Sequence, residues 1–466
     1  MKVKRFRGTP YRLWNPYTPM DKFLQFLGFG ATIQVQGDGL YVLNSKGRRY
    51  LNANSSTWNF ALGYGREEIV QAASEQMRQL PFASLWGGSH PRAMELASRL
   101  VEISGGNYAH AYLGSNGSEV VEMALKIARQ YHRQSADSSD HGRYKVISLR
   151  ESYHGLGYGA VSAAAKPVYE QHYGPLMPGY VNIGPAYCYR CPYGKTAYPE
   201  CGLACAQALE DLILAEGPET VAAFILEPIL AEAGVITPPA EYFPAVGEIC
   251  KRYGLLLIAD EVTTGFGRAG RLFYSQDWNP QPDLLCLGKI ISGGYLPLSA
   301  LLATDRVFER FLGPDRQMLQ GSTNSGHPVC AAVGLRAIDI ILRENLVENA
   351  ARMGARMKAG LEALMTKHAI IGDVRGEGLM AAVELVKDRQ TKERFSKDAE
   401  FNILLDIMER GVLVSLDRLR LFPPLCITEE LVDQMVEIID QSLGSNKLWR
   451  GLRLAKGVLA SRVTPM

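Results

Sequence analysis

An aspartate and a lysine follow two successive apolar runs of the sequence. Asp260 comes directly after LLLIA, and Lys289 comes directly after DLLCLG. Short continuous apolar runs bounded by turn residues are typical of strands that are buried on both faces, and in an open parallel sheet the carboxyl ends of such strands carry the ligand site. We therefore expect Asp260 and Lys289 to lie at the same edge of one sheet.

This pair of residue types suits the chemistry of pyridoxal phosphate. The cofactor needs a lysine for its Schiff base and a carboxylate that keeps the ring nitrogen protonated, because only a pyridinium ring is a strong electron sink. The lysine must also be able to lose its proton, which burial and a nearby cation both favour. Because most Asp and Lys residues are surface residues, the hypothesis depends on what the rest of the chain adds.

Composition excludes several other classes of function. The 466 residues are 47% hydrophobic and 21% charged, with a net charge of +2, which is typical of a soluble chain of two domains. No basic patch interleaved with aromatics indicates nucleic acid, and the apolar runs are far shorter than the roughly 20 residues of a membrane helix. The basic N-terminus is not followed by an apolar run, so we expect a cytoplasmic protein without membrane partners.

Polar residues of the central region follow further strand-like runs. Apolar strands alternate there with longer helical segments, which predicts a mostly parallel sheet. A turn between a strand and a helix consists of Ser115, Asn116, Gly117 and Ser118. It can bind a phosphate at the start of the helix. The alternative is that Ser118 is only the N-cap of that helix. Past the next strand come Tyr153 and His154, where an aromatic ring can lie against a ligand ring. The acids Glu227 and Glu232 end or follow another strand, and Thr323 lies in a hydroxyl-rich turn.

Together these positions resemble the class III (ω-amino acid type) pyridoxal phosphate aminotransferases of fold type I, from about residue 30 to 443. Seven markers stand in the order of that family: SNGSE at 115–119, YHG at 153–155, EP at 227–228, DEV at 260–262, GK at 288–289, STNSGHP at 322–328 and RLFPPL at 420–425. The resemblance implies an α/β fold with a large cofactor-binding domain (66–335), whose mostly parallel sheet has seven strands flanked by helices. A smaller α+β domain would combine residues 336–443 with the N-terminal segment 1–65 at the active-site mouth, and 444–466 would form a basic tail.

The resemblance also implies roles for individual residues. Lys289 would form the Schiff base and move the substrate proton, Asp260 would pair with the ring nitrogen, and Tyr153 and Val262 would cover the two ring faces. The complete cofactor-binding set would be Ser115, Asn116, Gly117, Ser118, Tyr153, His154, Glu227, Asp260, Val262, Lys289 and Thr323. In this family Thr323 reaches the phosphate of the neighbouring subunit, so we expect a homodimer, with a tetramer as the alternative.

The implied reaction moves an amino group from an amino acid or ω-amine to a 2-oxo acid through a pyridoxamine phosphate intermediate. An amino-acid racemase or epimerase on the same scaffold is an alternative, which requires an acid on each face of the cofactor ring. A non-catalytic relative is disfavoured because Lys289 and Asp260 are both retained.

Two residues are candidates for substrate recognition. Arg420 matches the position that clamps a substrate carboxylate in related enzymes, and Glu232 matches an acid that screens this arginine in some of them. We expect the two side chains to pair and to switch between the half-reactions. A purely structural ion pair is the alternative, and the nearby Arg418 is a rival for the arginine's role.

Four cysteines stand apart from the family pattern. Cys188, Cys191, Cys201 and Cys205 form a C-x2-C and a C-x3-C pair in one loop. Such spacing can close a tetrahedral zinc site or hold an iron–sulfur cluster, and free thiols or a disulfide are the alternatives. We expect a bound metal with a structural role.

Overall fold

The N-terminal part of the chain forms small antiparallel sheets. The computed structural model describes residues 5–7, 9–18, 20 and 33–445. Strand β1 (Arg5–Phe6) pairs with β2 (Thr9–Pro10). A three-stranded meander follows, in which alternation of apolar and polar residues predicts a strand hairpin: β3 (Gln34–Asp38), β4 (Tyr41–Asn44) and β5 (Arg49–Asn52).

The main sheet has seven strands and is mostly parallel. In chain order the strands are β6 (His110–Gly114), β7 (Lys145–Leu149), β8 (Tyr180–Ile183), β9 (Val221–Leu226), β10 (Leu256–Asp260), β11 (Leu284–Leu287) and β12 (Ser299–Ala303). Their spatial order is β6-β12-β11-β10-β9-β7-β8. Strand β12 runs antiparallel to β11 and β6, whereas every other neighbouring pair is parallel. The predicted α/β fold with a mostly parallel sheet is therefore confirmed.

The central strands are apolar throughout because both faces of the sheet are covered. On one face, alternate residues such as Ile225, Ile258 and Cys286 pack in one apolar cluster with the helix Gly117–Arg133. The residues between them, such as Phe224 and Leu257, belong to a second cluster on the other face. A strand buried on both sides cannot alternate polar and apolar residues, which explains the continuous apolar runs of the sequence.

Helices surround this sheet and continue into the C-terminal part. They are α1 (Glu67–Gln79), α2 (Pro91–Ile103), α3 (Gly117–Arg133), α4 (Tyr158–Ala164), α5 (Pro167–Tyr173), α6 (Ala204–Glu216), α7 (Tyr242–Tyr253), α8 (Asp305–Phe308), α9 (Pro328–Arg343), α10 (Leu346–Lys367), α11 (Lys397–Glu409) and α12 (Glu429–Leu443). Among the residues that the structure describes, no helix is long and apolar enough to cross a membrane.

A second sheet lies in the C-terminal part. Strand β13 (Ile371–Glu377) pairs with β14 (Met380–Asp388), which also pairs with two short strands, β15 (Glu393–Arg394) and β17 (Arg420–Leu421). The remaining strand, β16 (Val412–Leu413), is parallel to β5. The N-terminal segment is thereby joined to the C-terminal part, as expected for a smaller α+β portion. The three boundaries between the four predicted segments themselves stay predictions, and the basic tail beyond residue 445 lies outside the described residues.

Glycines allow a close contact between the two parts of the molecule. Gly378 has φ +53°, and a Cβ there would lie 2.3 Å from the backbone nitrogen of Gly270. The Leu379 N–H donates to the carbonyl of Arg268 at 2.9 Å in the same contact. Helix α10 packs on its other side, where a Cβ on Gly354 would lie 2.0 Å from the Gly378 carbonyl oxygen. Only residues without a side chain permit this backbone approach.

We therefore expect Gly354→Ala to destabilise the protein by about 1–3 kcal/mol, because the new methyl group meets backbone that cannot rotate away. Gly360→Ala is the matched control in the same helix, since its Cβ would meet only Val436 methyl groups at 3.2 Å. Urea unfolding of both variants measures the difference. Equal midpoints for the two variants would contradict the proposed close contact.

Candidate active site

The ends of two neighbouring parallel strands bring Asp260 and Lys289 together. Asp260 is the last residue of β10 and is in register with Cys286 of β11. Lys289 begins the 3₁₀ turn Lys289–Ser292 just beyond β11. Its φ of +44° lies in the left-handed region, which costs a non-glycine residue free energy and is retained where the surroundings impose it. Both side chains therefore lie at the same edge of the sheet, as expected.

The amine of Lys289 lies in a mostly buried environment. Its Nζ donates to Thr263 Oγ1 at 2.5 Å and lies 5.2 Å from the ring centre of Trp58. Burial lowers the pKa of Lys289, and the Arg268 cation lowers it further, while the carboxylates of Asp260 and other nearby acids oppose the shift. A lowered pKa increases the fraction of neutral, nucleophilic amine at a given pH.

Asp260 is buried and held by contacts to both carboxylate oxygens. Oδ2 lies 2.7 Å from Nδ1 of the buried His154, and Oδ1 accepts from the Val262 N–H at 3.1 Å. The other ring nitrogen of His154 has no hydrogen-bond partner among the described residues. His154 thus contacts the carboxylate directly and restricts its orientation.

Glu227 supports the segment that carries the aromatic candidate. Its Oε1 accepts from the Tyr153 backbone N–H at 2.7 Å. Burial raises the pKa of Glu227 to about 7, with the nearby Asp260 charge acting in the same direction. Burial also raises the pKa of the Tyr153 hydroxyl, which keeps the ring neutral. Glu227 acts on the site through the backbone of Tyr153.

The turn at the start of α3 has the features of an anion site. The N-cap is Asn116, whose side chain accepts from the Glu119 N–H at 3.0 Å. The alternative of a cap by Ser118 is therefore wrong, since Asn116 caps the helix and the Ser118 hydroxyl accepts from the Leu156 N–H at 3.2 Å. The hydroxyl of Ser115 is buried and has no partner among the described residues. An unpaired hydroxyl at a helix N-terminus suits a bound phosphate.

Small residues bring this turn against the strand that ends at Asp260. A Cβ on Gly117 would lie 2.7 Å from a methyl group of Val262, and one on Gly155 would lie 2.4 Å from Ser118 Oγ. Glycine at both positions leaves room for these segments to meet. The resulting cleft combines an anion-binding turn, a buried carboxylate and a lysine, which are the groups that pyridoxal phosphate requires.

Glu232 and Arg420 do not form the expected side-chain pair. The carboxylate of Glu232 pairs with Lys166, and both side chains are buried. Arg420 instead donates to both oxygens of Asp417 at 2.6 Å each. Arg420 meets Glu232 only at the main-chain carbonyl, at 2.8 Å. The reason is geometric, since the loop before β17 turns Asp417 back onto the guanidinium while Lys166, before α5, faces the carboxylate. Arg418, the rival arginine, donates to the carbonyl of Ala233.

Tyrosines line the side of the cleft near Glu232. The hydroxyl of Tyr17, from the N-terminal segment, lies 3.3 Å from that of Tyr169 in α5. Burial raises the pKa of both hydroxyls, and the negative charge of Glu232 contributes to both shifts. Lys166 Nζ lies 5.5 Å from the ring centre of Tyr153. The wall of this part of the cleft is therefore aromatic with one buried ion pair.

Thr323 and the cysteine loop lie apart from these contacts. Thr323 is exposed in the turn before α9, so its role toward a neighbouring subunit stays a prediction.

Cys188, Cys191, Cys201 and Cys205 are all free thiols. Within the described part of the chain, no three His, Cys, Asp or Glu side chains are placed to hold a metal, so the expected zinc or iron–sulfur site is not supported. Burial raises the pKa of Cys205 to about 11, and the nearby Cys188 and Cys201 act in the same direction.

Sequence reasoning missed Trp58 and Arg268. Residues Ser55–Trp58 form a turn with four successive positive φ angles, which places the Trp58 ring beside Lys289. Arg268 is fully buried, with donor contacts to the Pro423 carbonyl at 2.5 Å and to Ser55 Oγ at 3.4 Å. Burial lowers the pKa of Arg268 to about 9. Runs of Ser, Thr and Gly around these residues indicate loops, and the sequence contains no signal that they meet.

Comparisons with known proteins agree with this geometry. A family model described as aminotransferase class III matches residues 30–443. A probable aminotransferase of Mycobacterium tuberculosis is 39% identical over 391 residues, which cover 83% of each chain. A taurine–pyruvate aminotransferase of Bilophila wadsworthia is 36% identical over 432 residues, covering 90% of this chain and 93% of that protein.

A solved structure gives the same result for the fold. An amine transaminase from an uncultivated Pseudomonas species, in its pyridoxal phosphate-bound form, superimposes with a TM-score of 0.88 at 34% identity. The superposition covers 94% of this chain and 99% of that chain. The expected fold type I is thereby confirmed.

We expect Arg268→Met to raise the pKa of Lys289, because the substitution removes a buried cation that disfavours a second charge. The measurement is the pH dependence of acylation of Lys289 in protein freed of small ligands, followed by mass spectrometry. The midpoint moves to higher pH in Arg268→Met and stays near that of the wild type in Arg268→Lys. An unchanged midpoint in a folded Arg268→Met protein would show that Arg268 acts only through its hydrogen bonds.

Proposed function

The chain belongs to the class III aminotransferase family, and we propose that Lys289 is its catalytic lysine with pyridoxal phosphate as the cofactor. The protein is an aminotransferase that moves an amino group from an amino donor to a 2-oxo acid. The observation that carries the residue assignment is the position of Lys289 beside the buried Asp260 at adjacent strand ends. The lowered pKa of Lys289 supports it.

The cofactor-binding residues follow from the contacts of the cleft. We assign the ring nitrogen to Asp260, the two ring faces to Tyr153 and Val262, and the phosphate to the turn at Ser115–Ser118. The unpaired hydroxyl of Ser115 supports the last assignment. When bound, pyridoxal phosphate carries the amino group between the half-reactions and withdraws electrons from the carbon that loses its proton.

The protein residues then have separate tasks. Lys289 takes and returns the substrate proton as a neutral amine, and the Thr263 hydroxyl accepts a hydrogen bond that orients its Nζ. Asp260 holds a proton on the ring nitrogen, and His154 keeps the carboxylate aligned. Glu227 fixes the backbone of Tyr153 and thereby the position of its ring.

Aromatic side chains near Lys289 and Glu232 suit the apolar part of an amino donor. Trp58, Tyr153 and Tyr169 supply apolar surface for the body of a donor, and the buried Lys166–Glu232 pair adds no net charge. One relative is named as a taurine–pyruvate aminotransferase, so pyruvate is a reasonable first acceptor to test. The relatives reported above are all named as aminotransferases or transaminases, which favours transfer over the racemase alternative.

We also propose that the protein is a homodimer in which Thr323 contacts the phosphate site of the neighbouring subunit. Two large apolar side chains near this turn are exposed, Trp86 at 72% and Leu319 at 74%. Exposed apolar groups that cluster beside a functional cleft favour a protein partner. A tetramer, a cytoplasmic location and the three domain boundaries stay predictions.

The test is the visible absorbance of the protein loaded with pyridoxal phosphate. We expect single amine donors, added without a 2-oxo acid, to convert the cofactor band stoichiometrically, and pyruvate to restore it. Lys289→Ala loses this conversion and lowers turnover by about 10²–10⁴-fold or more, because the proton-transfer group is missing.

Lys195→Ala, which removes an exposed lysine of the cysteine loop, is the matched control and retains activity. A cofactor band that persists while the optical rotation of an amino acid decays would favour the racemase. A protein that binds no pyridoxal phosphate would overturn the proposal.

A further inference from the structure

The carboxylate of Asp417 accepts hydrogen bonds from the guanidinium of Arg420, the group expected to bind a substrate carboxylate. Both of its oxygens accept from the terminal nitrogen Nη2 at 2.6 Å. The side chains are 3% exposed for Arg420 and 15% exposed for Asp417. Charge-assisted hydrogen bonds from arginine to a carboxylate are the usual means by which proteins recognise this group. Asp417 therefore takes up the Nη2 donors of Arg420 that a carboxylate ligand would otherwise use.

Arg420 lies within reach of a substrate that reacts at Lys289. Both cations lie near the indole of Trp58, whose ring centre is 5.1 Å from Arg420 Cζ and 5.2 Å from Lys289 Nζ. The main-chain carbonyl of Glu232, in the wall of the cleft, accepts from Arg420 Nη1 at 2.8 Å. Arg420 and Lys289 thus share Trp58 as a neighbour, which places the guanidinium in the surroundings of the reacting amine.

Asp417 is the carboxylate available to neutralise Arg420. Glu232 is already paired with Lys166. Glu400 lines a pocket with Arg420, and burial raises the pKa of Glu400 to about 7, with the nearby Asp417 charge acting in the same direction. The Nε of Arg420 is buried and has no hydrogen-bond partner among the described residues. Removing Asp417 would leave a buried cation without a counter-ion, which is unfavourable until another anion binds.

We propose that Asp417 is a built-in competitor for substrate carboxylates at Arg420. With Asp417 in place the pocket is neutral and accepts amine donors that lack a carboxylate. A 2-oxo acid binds by displacing Asp417 from the guanidinium. This inference rests on the proposed function, and it makes Asp417 the residue that sets the balance between carboxylate-free and carboxylate-bearing substrates.

The loop that carries Asp417 is suited to this displacement. Asp417 lies between β16 and β17, outside the strand pairing that holds Arg420 in β17. Its neighbour Leu416 is exposed, so a displaced Asp417 side chain has solvent close by. Arg420 itself is held by strand pairing and by carbonyl contacts, so the acid rather than the arginine is the group that moves.

The test compares substrates with and without a carboxylate. Steady-state constants are measured for pyruvate and for propanal as acceptors, with butylamine as the donor. We expect Asp417→Asn to lower the KM for pyruvate about tenfold, because the competitor is lost. The KM for propanal stays the same or rises, since propanal gains no carboxylate contact and meets an uncompensated cation.

Three further variants separate this effect from a general structural one. Arg420→Met raises the KM for pyruvate by a larger factor than the KM for propanal, and Asp417→Asn does not lower the KM for pyruvate in its background. Asp406→Asn is the matched control, because Asp406 is also buried and pairs with Arg410 at 2.7 Å in α11. We expect this control to leave the KM for pyruvate unchanged. Asp417→Glu keeps the charge, and its KM for pyruvate lies between those of the wild type and Asp417→Asn.

The outcomes distinguish a failure of the role of Asp417 from a failure of the proposed function. A KM for pyruvate that is unchanged or higher in Asp417→Asn, with butylamine–propanal turnover retained, overturns the role of Asp417. If Asp417→Asn does not fold, Asp417→Glu takes its place, and a KM for pyruvate equal to or above that of the wild type then overturns the role. A wild-type protein that transfers no amino group to either acceptor would instead overturn the proposed function.

Discussion

Burial of the Lys289 amine at the edge of the sheet is the constraint on which the rest of the site depends. Burial disfavours its charged form, and the carboxylates around it favour that form, so the protonation of Lys289 reflects a balance between the two effects. The strands supply this environment, because β10 and β11 are neighbours that end at the same edge of the sheet, with an apolar layer on each face. The left-handed φ of Lys289 shows that the backbone adopts a costly conformation to present the amine there.

The charges around this amine are arranged so that little net charge is buried. Glu232 is neutralised by Lys166 and Arg420 by Asp417, whereas Arg268 has backbone carbonyls and a serine hydroxyl as its partners. A buried pair contributes modestly to stability, but the loss of one partner leaves an uncompensated charge. The partners of these buried charges therefore affect which ligands can bind more than they affect the stability of the fold.

Most of the framework could be predicted from the sequence. The continuous apolar runs before Asp260 and Lys289 are buried strands, because a sheet covered on both faces leaves no position for a polar residue. The small-residue turn at Ser115–Ser118 opens a helix, although Asn116 is its cap. The metal site expected from the cysteine spacing is not supported, since no three suitable side chains among the described residues are placed to hold a metal.

The sequence alone determined which residues stand at the ends of which strands, because strand periodicity and parallel pairing are local rules that place them at one edge. Only the tertiary structure decided how the charged side chains pair. Lys166 and Glu232 are far apart in the chain, and Asp417 reaches Arg420 only through the path of its loop. Such pairings depend on close packing and on the direction of each side chain. Neither can be predicted from the periodicity of the sequence.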